Sequence, residues 1–65
     1  MVQVSQKVFD GLEAVRSSGV TNMLDYGAVM YYAAKWGYTE TVLWMQDHKR
    51  DYIQGIFEGF EIVSS

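Results

Sequence analysis

Asp25-Tyr26-Gly27-Ala28-Val29-Met30-Tyr31-Tyr32-Ala33-Ala34-Lys35-Trp36-Gly37 is the stretch whose reading decides the fold. Asp25 is a good N-cap, because its carboxylate accepts from the free N–H groups of the first turn. Gly37 is a good stop. The residues between them predict a helix over 26–36. Val29, Tyr32, Ala33 and Trp36 form its inward stripe, while Gly27, Met30, Tyr31 and Ala34 project to the other side. Lys35 is the one charge between Asp25 and Gly37. A helix apolar nearly all round, in a chain of 65 residues, is either sandwiched between neighbours or shares its spare face with a partner.

Toward the N-terminus, a connector of residues 20–24 follows Gly19, which is placed for a left-handed C-terminal cap. Before it, Val4, Val8, Leu12 and Val15 recur at spacings of four, four and three, predicting an amphipathic helix over about 2–18. Gln6, Asp10, Glu13 and Ser17 fall opposite, and Glu13 with Arg16 offers an i,i+3 ion pair. Toward the C-terminus, Thr39 is placed to cap a third helix over 40–48, with Tyr38 packing on Leu43 as a hydrophobic staple. Val42 and Met45 then face inward, and Trp44 points away from Val42 and lacks cover. The polar run Asp47-His48-Lys49-Arg50-Asp51 precedes a fourth helix over 49–60, whose apolar face is Tyr52, Ile53, Ile56, Phe57 and Phe60. Positions 42, 45, 49, 52, 56 and 60 keep a helical period through that run, so one continuous helix is the alternative to a bend near His48. Residues 62–65 read as a frayed end. The expected fold is all-α: a small bundle of three to four short helices forming one domain over 1–65.

Composition supports a folded core. Apolar residues make up 49% and aromatic residues 15% of the chain, well above disordered sequences. Folding a chain of this size buries roughly 4,000 Å² of apolar surface, about 100 kcal/mol at ~25 cal/mol/Å². Ordering 65 residues at ~1.5 kcal/mol each costs about as much. The balance near zero makes association the natural further source of stability. There is no cysteine, which excludes a disulfide framework, a thiolate zinc site and thiol catalysis. The longest apolar run, residues 29–34, is far short of the ~20 residues that span a bilayer. Lys7 is followed by no apolar core of the kind a secretory signal needs. The net charge of -3, with no clustered basic stripe, disfavours nucleic-acid binding.

No motif with catalytic chemistry emerges. The two helices around Gly37 invite a helix-turn-helix reading, but the second offers Glu40, Thr41, Trp44, Gln46 and Asp47, the wrong charges for phosphate. His48 with Asp47 and Asp51 lacks the further ligands that zinc or calcium requires, and reads as a solvated corner. No serine sits on a nucleophile turn, and no glycine-rich phosphate loop is present. Neither an enzyme nor a cofactor-binding or metal-binding protein is expected. Gly55-Ile56-Phe57-Glu58-Gly59 has a Gly-x-x-x-Gly spacing that permits close helix approach, with Gly27 and Ala34 as one facing surface; mere helix-end glycines are the alternative. Tyr26, Tyr31, Tyr32, Trp36, Tyr38, Trp44 and Tyr52 are more aromatic bulk than the stripes accommodate. Tyr and Trp concentrate binding energy at interfaces. The expected protein-binding residues are Met30, Tyr31, Trp44 and Tyr38.

Ser18-Gly19-Val20-Thr21-Asn22-Met23-Leu24-Asp25, then Gly37-Tyr38-Thr39-Glu40, Asp47-His48 through Tyr52, and Ile56-Phe57 carry a resemblance over residues 8–60 to a family of small phage and prophage proteins of unknown function. Residues 21–25 are its most distinctive part. The resemblance implies a viral accessory product in the bacterial host cytoplasm, of the sort that binds and sterically blocks a host protein, including restriction or CRISPR machinery. Two rivals stand beside that expectation. One is a homo-oligomer closed by the same spare face; the other is a helix-turn-helix-like DNA-binding regulator.

Overall fold

The computed structural model describes residues 1–63. The chain runs through a short strand β1 (Val2–Val4), four helices α1 (Gln6–Ser18), α2 (Tyr26–Lys35), α3 (Thr39–Asp47) and α4 (Lys49–Glu58), and a second strand β2 (Phe60–Ile62). It is a small helical bundle, with the two strands paired in parallel in the register Val2↔Phe60, Gln3↔Glu61 and Val4↔Ile62.

The strands are the main departure from the sequence reading. The first helix begins at Gln6 rather than Val2, because Ser5 is extended and accepts the Val8 N–H on its hydroxyl at 3.3 Å. Val4 is buried as its place in the apolar series demands, but from a strand. At the other end α4 stops at Glu58, and Gly59 at φ 98° turns the chain out of it. Ile62 belongs to β2 and the Val63 N–H donates to the Val4 carbonyl at 3.0 Å, so this end is held where fraying was expected; Ser64 and Ser65 lie outside the described residues. Two three-residue strands alone are marginal in water. This pair lasts because Val4 enters the core and Val2 and Phe60 pack against it.

Several signals operate as read. Asp25 accepts from the Ala28 N–H at 3.1 Å, and Gly19 closes α1 at φ 70°. Gly37, at φ 84°, completes a Schellman closure of α2, with its N–H on the Ala34 carbonyl at 3.1 Å and the Tyr38 N–H on that of Ala33 at 2.8 Å. The bend falls at His48, which ends α3 and begins α4. Thr39 is not the cap of α3. It is the first helical residue, Tyr38 precedes it with no side-chain cap, and Leu43, the expected staple partner, is 55% exposed.

The core is Val4, Val8, Leu12, Val15, Val29, Ala33, Met45 and Tyr52. Two close approaches shape it. Gly11 on α1 lies against α3, where a Cβ would stand 2.7 Å from Thr41 Cβ and 2.9 Å from Tyr38 Cβ. Thr41, fully buried, turns its hydroxyl onto the carbonyls of Lys7 and Val8, at 3.3 and 3.1 Å. On α4, the Phe60 ring occupies the space beside Gly55, with its Cδ1 only 2.7 Å from where a Cβ would lie. The Gly-x-x-x-Gly spacing thus admits a ring from its own chain, and not Gly27 and Ala34. Tyr52 donates to the Met23 carbonyl and Tyr26 to that of Met45, while their rings meet edge to face at 5.6 Å.

Gly11→Ala forces a methyl group into Thr41 and should destabilise the fold by about 2 kcal/mol or more; a urea midpoint unchanged from wild type contradicts this contact. Burial first, then the nearby Asp25 carboxylate, pushes the Tyr52 phenol up to about 12. Burial, then Asp47, raises that of Tyr26. The unfolded chain releases these protons near ~10, so stability is complete below that pH and falls as pH rises toward about 12. Tyr52→Phe should cost roughly 1–3 kcal/mol at pH 7 by orphaning the Met23 carbonyl. It should also flatten the alkaline loss, as denaturation at pH 7 and pH 11 will show.

Candidate functional site

The outer face of α2 is set by what its inner face buries. Val29 and Ala33, four residues apart, point into the core. Tyr31 lies two residues from each, about 200° around the helix, and is therefore driven outward. It is 60% exposed. Its ring meets Tyr32 edge to face at 5.2 Å, and Tyr32 meets Trp36 at 5.5 Å with the planes tilted by 44°. Trp36, just before the Gly37 turn, is 40% exposed. The Lys35 ammonium sits 5.9 Å from the Tyr31 ring centre, a weak cation–π contact that helps hold the ring in place. Tyr31, Tyr32 and Trp36 thus form a surface strip with apolar ring bodies and hydroxyl or indole N–H donors, suited to bury area and still satisfy polar groups across an interface.

Of the four residues expected to bind a partner, Tyr31 alone is on the open surface. Met30 is half-buried and packs on the core, as does Tyr38 beside Gly11. Trp44, expected to lack cover, is half-buried: its ring stacks on His48 at 5.1 Å and meets Phe60 edge-on at 6.1 Å. β2 supplies that cover, and no pattern of helical residues foretold it. The sequence reading in turn placed Trp36 inside. Trp36 follows the last residue of α2 as its C-cap and is left partly open, a position that the periodicity of one helix does not settle. Phe57, also read as inward, is 74% exposed.

The other candidate chemistry resolves into structural contacts. On α3, Thr41 is buried and Trp44 covered, leaving Glu40, Gln46 and Asp47 exposed. His48 Nδ1–H donates to the Trp44 carbonyl at 2.9 Å, the tautomer that a carbonyl acceptor requires. Among the described residues no group of three or more His, Cys, Asp or Glu could hold a metal ion. A cleft of about 320 Å³ lies between Lys7 and Asp10 on α1 and residues 37–40, spanned by a Lys7–Glu40 pair at 3.9 Å. An apolar groove of about 240 Å³ is lined by Phe9, Leu12, Met23, Ile56 and Phe60, with Glu13 and Arg16 also on its wall. Their exposed ion pair, with Arg16 Nε–H on Glu13 at 2.9 Å, holds the Glu13 carboxyl below the usual range. No helix among the described residues is long and apolar enough to cross a membrane.

These features define a small helical domain closed by a parallel strand pair, with an aromatic strip on its surface. The chain belongs to the family described as a domain of unknown function (DUF5049), whose model matches residues 4–60. No curated protein and no solved structure matches it.

Proposed function

We propose that this chain is a phage-encoded accessory protein that acts by binding: it docks on a protein of the bacterial host, in the host cytoplasm, and sterically blocks a surface there. A component of a defence system, such as a restriction or CRISPR nuclease, is the target class. The observation that carries the reading is the aromatic strip at the end of α2, in which exposed Tyr31 and Trp36 flank a half-buried Tyr32, and which replaces the Met30, Tyr31, Trp44 and Tyr38 set expected from sequence. Aromatic anchors of this kind contribute a large share of interface energy. Phage origin rests on the resemblance centred on residues 21–25. Steric blocking is favoured over mimicry of a DNA backbone because the net charge is only -3. DNA reading by α3 is disfavoured by its exposed Glu40 and Asp47.

The test is affinity capture from host lysate followed by titration of the captured protein in purified form. Wild type and Thr39→Ala are expected to bind one host protein equally. Tyr31→Ala and Trp36→Ala should each weaken binding about tenfold or more with unchanged circular dichroism. Equal binding by every variant overturns the reading.

A further inference from the structure

We infer that the outer face of α4 pairs with the same face of a second copy of this chain, the two helices running antiparallel about a two-fold axis near Gln54. At about 100° per residue, Arg50, Gln54 and Phe57 fall within an arc of roughly 60°, with Ile53 and Glu58 at its two margins. The core side of α4 is Tyr52 and Gly55, so this stripe faces solvent. Phe57 is 74% exposed on it.

Its charges are self-complementary. Among the described residues Arg50 has no ion-pair partner. Glu58 is half-exposed and holds only a distant 3.9 Å contact to the Met1 amino group and a 3.3 Å bond from Gln54. Arg50 and Glu58 lie four residues to either side of Gln54. An antiparallel partner therefore sets each Arg50 against the partner's Glu58 and beside the partner's Phe57, a pairing that combines charge attraction with a cation–π contact. Parallel pairing would oppose like charges, Arg50 to Arg50 and Glu58 to Glu58. Asp51, about 100° further round, stays at the flank. A second copy is thus an occupant whose sequence already matches the stripe, and isologous contact of this kind is the commonest route to a closed dimer.

The area limits the strength. α4 has 10 residues and is about 15 Å long, so two such faces bury roughly 600 Å² in total, below the ~1,200 Å² of stable interfaces. Association is therefore weak, with a Kd on the order of 100 μM. The face differs from the α2 strip, and its failure leaves the host-binding reading untouched.

Sedimentation velocity from about 10 μM to 1 mM tests this pairing. Wild type should shift from monomer to dimer across that range. Phe57→Ala, Arg50→Glu and Glu58→Arg should each weaken association about tenfold, and the double swap Arg50→Glu with Glu58→Arg should return it to within about threefold of wild type. A strict monomer throughout, unchanged association in the single variants, or a double swap no tighter than its parents overturns the inference.

Discussion

The phenol ring of Tyr52 sits where four parts of the chain meet. It is fully buried on α4, its hydroxyl donates to the Met23 carbonyl in the connector between α1 and α2, its edge meets Tyr26, and its face is tilted toward Phe60 of β2 at 6.2 Å. In a chain of 65 residues few side chains are large enough to touch so many elements at once. The hydroxyl matters as much as the ring, because a connector carries carbonyls that no helix satisfies, and burying one without a donor is costly. Tyr26 performs the same service in mirror fashion for the last turn of α3, through Met45.

Around that centre, two glycines let the elements come close. Gly11 allows α1 to lie on α3 closely enough for Thr41 to reach two carbonyls of α1. Gly55 leaves a socket on α4 that Phe60 fills. The second contact fastens β2, and β2 in turn covers Trp44. A chain too small to build a thick core has instead replaced side-chain volume with backbone proximity at two points.

What was legible in the residues followed local rules. The Asp25 cap, the Gly19 and Gly37 stops and the run Val8, Leu12 and Val15 each depend on neighbours within a turn or two, and all are found. The bend at His48 was legible because polar residues at an apolar period mark a break. The strands were not legible. Val4 satisfies a helical series and an alternating strand equally well, and its strand partner lies 58 residues away, as the Gln3–Glu61 bond records. Gly11 carried a signal that went unread: a glycine inside a strong amphipathic helix is unfavourable unless something needs the space. Which aromatic residues end outside depended on how each helix is rotated against its neighbours, so Trp36 and Trp44 were exchanged while Tyr31, opposite Val29 and Ala33, was placed correctly.

The parallel ladder between β1 and β2 also has a kinetic side. Its two strands flank the four helices in sequence, so the ladder forms only when the segments before α1 and after α4 are brought together. Bringing residues 58 positions apart into register has an entropic cost that grows slowly with separation. Closing the ladder is therefore a search by β2 for the edge that β1 presents, and non-local pairing of this kind slows a helical protein that otherwise relies on local contacts.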